Sequence, residues 1–419
     1  MGLTQANKIT LGADPEGLLV QITGPKATDL KAVPAHLYFG SEVFGWGKDG
    51  CDATPELRLE KPHTDAFEIV AEMKKHMGTS LLKLPLDVKL LAGSGCTAKD
   101  PQRNRYIPSG GHLHYGLTSN PEAKIIKYAD TLDLLLMTPL FFLEDPERAK
   151  RRRGGASSYG NLYNTNHVHN ITNGDAYRVN SHGFEYRPPS SWLVSESFAR
   201  GILSLGHAIV YDLELGKDLP TFSSVFGRGA EAIKLCEAHH NCNRTPFLPH
   251  LKPIAKVIKD LTLYKNGKYT DQIAGMMGLA MTFGQTGKAW KEDECIHTAW
   301  GFPRDYSLAT TEDPKFDVVG NTADPGIPEI LAQFKGKRLK KKVWIYGVAN
   351  KHKMNWSLYG DFNNPELGTE FFAADLKETR VSPHSAHCWI GISRAVREQA
   401  TMPYIVETIN KFIKKLELD

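Results

Sequence analysis

Pro108-Ser-Gly-Gly-His-Leu-His-Tyr-Gly116 is the stretch from which the organisation of this 419-residue chain is inferred. A glycine turn leads into residues with strand-like alternation, which places His112 and His114 on one face and Leu113 and Tyr115 on the other. Neutral imidazole binds metals and imidazolium pairs with phosphate, so two adjacent histidines predict the edge of a metal or phosphate site. A surface strand with two solvated histidines is the alternative.

Other short polar strands on either side carry charged residues at a spacing of two, and therefore on one face of each strand. They are Asp14 with Glu16, then Glu56 with Arg58 and Glu60, and finally Glu185 with Arg187. Carboxylates are hard ligands for Mg²⁺ or Mn²⁺. Each group alone could be a solvated face or an edge bulge, but an antiparallel sheet can gather such faces in one concave surface.

The segment from Arg148 to Gly155 is basic and ends in two glycines. We expect a mobile loop here, because glycine adds backbone freedom and like charges repel. Arginine binds phosphate oxygens in bidentate fashion, so Arg151 to Arg153 are predicted to clamp phosphate. A solvated charge run is the alternative.

Helices are expected where apolar residues recur at helical spacing. The first is predicted from Thr64 to Met77, with Gly78 as its stop, and the second from Asn120 to Glu144, with Pro121 at its first position and a kink or end at Pro139. Others are predicted near 192–215, 229–241, 253–264, 271–283 and 402–418, with a linker at 310–328.

Composition places limits on the class of protein. Apolar residues make up 41% of the chain and charged residues 23%, as in soluble globular proteins. The sequence contains no run of 18 apolar residues, so no membrane span is expected. Its first residues do not resemble a secretion signal. Six irregularly spaced cysteines favour reduced thiols in a cytosol, and a net charge of +4 is too small to indicate nucleic-acid binding by the whole chain.

Two local features leave alternatives open. Cys236-Glu-Ala-His-His-Asn-Cys242 could bind structural zinc, but the same residues fit a helix. Residues 335–353 hold eight lysines and arginines around Val343-Trp-Ile-Tyr346. They predict either a nucleotide or nucleic-acid contact or an edge strand solvated by lysine.

Taken in order, the motifs resemble those of a known family. They are Gly12-Ala-Asp-Pro-Glu16, Asp49-Gly50, Glu56-Leu-Arg58, Gly110-Gly-His-Leu-His114, Arg152-Arg153, Tyr159-Gly160 and Gly183-Phe-Glu-Tyr-Arg187 with Ser191-Trp192. In order and approximate spacing this set resembles the phage phiEco32-like COOH·NH2 ligases, amidoligases of the glutamine synthetase and glutamate–cysteine ligase superfamily. The resemblance covers about residues 8–215, half of the chain. The departures, Leu59 and Tyr163-Asn164, concern the substrate pocket.

The resemblance implies an α+β fold with a curved antiparallel sheet backed by helices, and ATP with Mg²⁺ or Mn²⁺ on its concave face. It implies metal ligands at Glu16, Glu56, His112 and Glu185, to which we add Asp14. Arg153 and Arg187, with Arg58, are assigned to catalysis on phosphate or acyl phosphate. Arg152, His114 and Glu60 are assigned to ATP binding.

The implied activity is ATP-dependent amide formation through an acyl phosphate, in the cytoplasm, or in the host cytoplasm if a bacteriophage encodes the chain. Residues 1–215 are predicted to form the ATP and metal core. Residues 216–419 are predicted to be mostly helical and to supply the acceptor side. The alternatives are a kinase that stops at phosphorylation, and a catalytically silent virion or nucleic-acid-binding protein on the same fold.

Overall fold

The structure is a computed structural model. It describes residues 9–302, except 24–29, 42, 50–53, 82–83, 85–86, 100–104, 120, 155–159 and 166–175, and three later strands. Two compact units divide the chain: the first comprises residues 1–20, 30–81 and 90–303, and the second comprises 21–29, 82–89 and 304–419. The expected division at residue 215 stays a prediction.

The chain alternates short strands with helices. The strands are β1 (Thr10–Pro15), β2 (Leu18–Ile22), β3 (Leu30–Ala32), β4 (Gly45–Lys48), β5 (Pro55–Arg58), β6 (Val88–Leu91), β7 (Gly95–Lys99), β8 (Tyr106–Pro108), β9 (Gly111–Gly116), β10 (Tyr177–Asn180), β11 (Gly183–Tyr186), β12 (Val343–Asn350), β13 (Lys353–Gly360) and β14 (Trp389–Ile392). The helices are α1 (Ala66–Leu81), α2 (Glu122–Leu132), α3 (Thr138–Phe141), α4 (Pro146–Arg153), α5 (Glu196–Glu214), α6 (Phe222–Phe226), α7 (Ala230–His240), α8 (Leu248–Lys259), α9 (Thr262–Lys265), α10 (Thr270–Thr286) and α11 (Ile296–Ala299).

The sheet that carries the opening motif is antiparallel, with strand order β1-β9-β11-β10. Its register places Asp14 opposite His112 and Glu185 opposite His114. The α+β class with an antiparallel sheet is therefore confirmed.

Alternation along β9 separates a polar face from a core face. Leu113 and Tyr115 are buried, and Tyr115 stacks on Phe184 of β11 with ring centroids 5.1 Å apart. Helix α5 covers this core face at Gly206, where a Cβ would lie 2.3 Å from the Tyr115 hydroxyl. The apolar side of the sheet is thereby removed from water, which leaves the histidine side free to form a site.

The arginines of the segment expected to be a loop are helical, so the prediction of a loop at residues 148–153 was wrong. Its arginines lie in α4, which begins at Pro146 after the N-cap Asp145, whose side chain accepts a hydrogen bond from the Arg148 amide. Pro at the first position and a run of good helix formers favour the helix. Like-charge repulsion is overcome because two of the arginines are buried with partners.

Two helix ends also differ from expectation. Helix α1 continues through Gly78 to Leu81, with Phe302 3.3 Å from the position of a Gly78 Cβ, so tertiary packing overrides the glycine stop. Pro121 is the N-cap of α2 and not its first residue. The long helix then passes through a π-helical segment, Asp133–Met137, and Pro139 lies at the start of α3.

The second unit contains β12, β13 and β14, with β12 antiparallel to β13 and parallel to β14. The strand expected around Val343–Tyr346 is confirmed by β12. Most of the basic stretch 335–353, the linker 310–328 and the terminal helix 402–418 lie outside the described residues. Among the described helices, none is both long and apolar enough to cross a membrane.

Candidate active site

The polar face of the sheet brings three ligating side chains to one point. His114 Nε2 lies 2.9 Å from Asp14 Oδ1, and His112 Nδ1 lies 3.4 Å from the same oxygen and 3.3 Å from Glu185 Oε1. The ligand atoms of Asp14, His114 and Glu185 all lie within 4.8 Å of one another. Period-two alternation and antiparallel register create this arrangement, because they bring one side chain from each of three strands to the same face.

Glu16 and Glu56 extend the cluster beyond the end of β1. They face each other across an antiparallel bridge between the two backbones. Glu16 Oε2 accepts a hydrogen bond from the Gly110 amide at 2.6 Å. A Cβ on Gly110 would lie 2.7 Å from His112 Nε2, so only glycine lets the backbone approach both the carboxylate and the imidazole.

Except for His114, which is not among the described lining residues, these side chains line a cavity of about 340 Å³. Its described lining includes five carboxylates (Asp14, Glu16, Asp49, Glu56 and Glu185) and three guanidiniums (Arg152, Arg178 and Arg187), with His112. Carboxylates therefore outnumber guanidiniums in the described lining, which favours the binding of a cation.

The crowding of carboxylates shifts their proton affinities. Burial raises the pKa of Glu56 to about 8, and the negative charge of Asp14 adds to the effect. Burial likewise raises the pKa of Glu16, against the lowering charges of His112 and Arg152. For Asp14, burial alone would raise the pKa, but hydrogen bonds with His112 and His114 lower it below its usual range.

The two histidines show the complementary shift. Burial would lower the pKa of each imidazole, but Asp14 reverses this and raises the pKa of both His112 and His114. The carboxylates around the two rings therefore stabilise the protonated form of imidazole.

The donor set fits a hard divalent cation. Asp14 Oδ1 and His114 Nε2 are buried and pair with each other at 2.9 Å, and a bound cation would replace this pairing. Carboxylate oxygens with one imidazole are suitable ligands for Mg²⁺ or Mn²⁺.

Of the arginines assigned from sequence, Arg187 and Arg152 line the cavity. Arg187 Nε lies 3.0 Å from Glu185 Oε1, as expected for residues two apart on one strand face. Arg152 is fully buried and donates to the Pro188 carbonyl at 2.7 Å and to the Pro189 carbonyl at 3.1 Å. Burial lowers the pKa of Arg152 to about 10.

Arg153, Arg58 and Glu60 lie outside the set of described residues that line the cavity. Arg153 is buried in an ion pair with Glu144 and donates to the Gly160 carbonyl at 3.1 Å. Arg58 pairs with Glu56 at the edge. Glu60 follows the end of β5, is about half exposed, and lies 3.2 Å from Lys75.

Arg178 also lines the cavity, although it was not among the residues predicted from the sequence. It lies opposite Glu185 in the β10–β11 hairpin, with Arg178 Nη1 3.3 Å from Glu185 Oε2. The signal was the turn Asn180-Ser-His-Gly183 between two strand-like segments, which predicts a hairpin and hence this pairing.

The remaining motifs pack against the residues and backbone that form the site. Trp192 donates from Nε1 to the Gly111 carbonyl at 2.9 Å, and a Cβ on Gly111 would lie 2.5 Å from the indole. A Cβ on Gly160 would lie 2.0 Å from Arg152 Nη1. Asn164, at one of the two departures, hydrogen-bonds Asp130 and Asp133 behind the sheet.

Two of the candidate zinc residues, His240 and Cys242, pair with other side chains. Cys236 and His239 are buried in α7, Cys242 Sγ accepts from Arg153 at 2.9 Å, and His240 Nδ1 pairs with Asn161 Oδ1 at 3.0 Å. Neither group of metal-ligand atoms found among the described residues includes them.

The antiparallel sheet thus carries acids, histidines and arginines on one face, a set that can bind a divalent cation and phosphate. The profile of the family described as phage phiEco32-like COOH·NH2 ligase, type 2, matches residues 11–302. The chain belongs to this family. The comparison with curated proteins gives no match.

Three solved structures show distant likeness. The ligase PafA in complex with the prokaryotic ubiquitin-like protein Pup has a TM-score of 0.44 at 12% identity, over 68% of this chain and 65% of that one. A bifunctional glutathione synthetase from Pasteurella multocida has a TM-score of 0.36 at 11% identity, over 68% of this chain and 52% of that one. A glutamate–cysteine ligase from Francisella tularensis in complex with AMP has a TM-score of 0.26 at 12% identity, over 70% of this chain and 97% of that one.

The match thus spans less than two thirds of the PafA chain. With TM-scores this low, the family match, and not these structures, assigns the chain to its class.

Proposed function

We propose that the chain is an ATP-dependent carboxylate–amine ligase that works through an acyl phosphate in the described cavity. The observation that carries the proposal is the convergence of Asp14, Glu16, Glu56, His112 and Glu185 on one cavity within the matched region. Five side chains from four separate segments of the chain share this cavity, and such sites are typical of phosphoryl chemistry on bound cations.

The carboxylates, together with His112 and His114, would hold Mg²⁺ or Mn²⁺. When bound, the cation would supply positive charge that screens the triphosphate from the substrate carboxylate. Glu185 is central among the ligands because β11 places it between His112 and Arg187. The imidazoles would be neutral in the loaded site, since a protonated nitrogen cannot bind a metal.

The first chemical step joins a substrate carboxylate oxygen to the γ-phosphorus of ATP while the bond to the ADP oxygen breaks. Arg187 and Arg178 flank Glu185 on the cavity wall and would bind the oxygens of the transferred phosphoryl group. Arg152 would position Arg187, because the hydrogen bonds of Arg152 to the Pro188 and Pro189 carbonyls fix the backbone beside it.

In the second step the amine nitrogen attacks the acyl carbon, and the bond from that carbon to the phosphate oxygen breaks. The products are an amide, ADP and phosphate, and the amine nitrogen loses a proton. Holding the acyl phosphate away from water favours the amine over hydrolysis. Residues 216–419 are proposed to supply the acceptor side, and an acceptor nucleotide or nucleic acid at 335–353 stays a prediction.

The test is phosphate release from ATP and Mg²⁺ with purified protein and a panel of carboxylic acids and amines. We expect release that requires both an acid and an amine, with an amide product. Glu185→Gln should lower turnover by a factor of about a hundred or more, since it removes a charged ligand without changing side-chain shape. Glu231→Gln, an exposed acid on α7, is the matched control and should retain activity.

Three outcomes would contradict the proposal. Phosphorylated product without any dependence on the amine would indicate a kinase. Full activity in Glu185→Gln would remove the cavity from the chemistry. Absence of ATP turnover with every acid and amine pair would favour the silent alternative.

A further inference from the structure

A second group of metal-ligand atoms lies outside the cavity, where the segment after β5 meets α1. Glu60 belongs to that segment, and Glu72 and His76 are one turn apart on α1. Their ligand atoms all lie within 4.8 Å of one another. We call Glu60, Glu72 and His76 the β5–α1 cluster.

The spacing of the cluster is close to that of a coordination sphere. His76 Nε2 lies 3.5 Å from Glu72 Oε1 and 4.0 Å from Glu60 Oε1. Ligands bonded to Zn²⁺ at about 2.0–2.1 Å in a tetrahedron are separated by about 3.3 Å. The two distances to His76 therefore need to shorten by less than about 1 Å, which a half-exposed glutamate can provide.

His76 Nε2 is buried and has no hydrogen-bond partner among the described residues. Its side chain is 12% exposed, and the other ring nitrogen lies 3.1 Å from the position of a Cβ on Gly45, which has a positive φ of 76°. The ring is thus confined, and its Nε2 faces the carboxylates of Glu72 and Glu60 at ion-pair distance without an aligned hydrogen bond. A cation between the ring nitrogen and the two carboxylates would bind all three groups.

Neighbouring groups hold the ligands in place. Glu72 Oε1 accepts from the Glu60 amide at 2.5 Å, and Glu72 Oε2 lies 2.5 Å from His63 Nε2. His63 in turn exchanges two backbone hydrogen bonds with Leu11 of β1, at 2.6 and 2.8 Å. Hydrogen-bonded support of ligating carboxylates is a regular feature of metal sites.

We propose that the β5–α1 cluster binds one divalent transition metal of the zinc type, separate from the cation of the catalytic cavity. The imidazole nitrogen favours Zn²⁺ over Mg²⁺, which prefers oxygen ligands alone. The remaining coordination positions face water at the exposed side of Glu60. Binding fixes α1 to the segment after β5 and, through His63, to the strand that carries Asp14.

The test measures zinc binding by the full-length protein with the substitutions Asp14→Asn and Glu185→Gln, so that the catalytic cavity does not contribute. Equilibrium dialysis against Zn²⁺, followed by elemental analysis, should give one zinc per chain at this cluster. Zinc should also raise the Tm of this protein, and Mg²⁺ should not.

Adding Glu60→Gln or His76→Gln should abolish the bound zinc and the rise in Tm. Glu60 is about half exposed, so its substitution keeps the fold even where His76→Gln does not, and circular dichroism checks both. Adding Glu231→Gln instead should change neither measurement. The proposal is overturned if the parent protein binds no zinc, or if both cluster variants bind as much as the parent. Neither measurement requires ATP turnover, so failure of the ligase proposal leaves this test intact.

Discussion

Two adjacent arginines show how the surroundings of a residue decide its role. Arg152 lines the cavity and Arg153 does not, although both lie in the last turn of α4 and both are buried. Arg153 is paired with Glu144, and its Nη1 also contacts Cys242 Sγ. The structure therefore favours a structural role for Arg153, in contrast to the catalytic role assigned from the motif.

Arg153→Met tests this role. The substitution leaves Glu144 buried without its partner, so unfolding free energy should fall by about 3–5 kcal/mol, measured by urea denaturation. The exposed neighbour Arg151 is the matched control, and Arg151→Met should change stability by less than about 0.5 kcal/mol. A protein with Arg153→Met that remains as stable as the parent but has lost phosphate release would restore the catalytic assignment.

At the scale of elements, the glycines of two helices differ in their effect on stability. One is required by helix packing, and two others only lower the helix propensity. Gly201 in α5 is required by the contact with α10, because its Cβ would lie 2.8 Å from Met276 Cβ. Gly275 and Gly278 in α10 face open space, since a Cβ at either position would meet nothing within 4 Å. These two glycines therefore only lower the helix propensity.

Alanine substitutions should therefore act in opposite directions. Gly275→Ala and Gly278→Ala should each stabilise the protein by about 0.5–1 kcal/mol, through higher helix propensity and a less flexible unfolded chain. Gly201→Ala should destabilise it, by about 1–3 kcal/mol, because the helices must move apart. Thermal unfolding of the three variants measures all of these effects. A stabilising Gly201→Ala would show that the α5–α10 contact tolerates a methyl group.

At the scale of the whole molecule, the described cavity residues all belong to the first compact unit. The acceptor role proposed for residues 216–419 includes the basic stretch 335–353, whose strand β12 lies in the second unit. A basic surface attracts anionic ligands in a salt-dependent manner.

Replacement of Lys340, Lys341 and Lys342 by alanine should raise the KM for the acceptor and leave the KM for ATP nearly unchanged. The exposed lysines Lys252, Lys256 and Lys259 of α8 provide a control with the same change in charge. Steady-state kinetics of both triple variants at two salt concentrations would distinguish a loss of acceptor binding from a general effect of the lost charge. If neither KM changes, or only that for ATP does, the basic stretch has no acceptor role.

The sequence by itself determined which residues share a face. Alternation with a period of two is local, so it placed His112 with His114, Glu56 with Arg58 and Glu185 with Arg187 before any strand pairing was known. The order of these motifs also indicated the family that the match over residues 11–302 confirms.

Only the tertiary structure decided which faces meet and which charges are buried. Register opposed Asp14 to His112 and Glu185 to His114, and register depends on long-range pairing that spacing does not encode. Burial converted a predicted basic loop into the helix α4, because Glu144 and the carbonyls of Pro188 and Pro189 offset the desolvation of two arginines. The tertiary structure also placed Glu60 beside His76 and away from Glu56, since β5 ends at Arg58 and the chain turns toward α1.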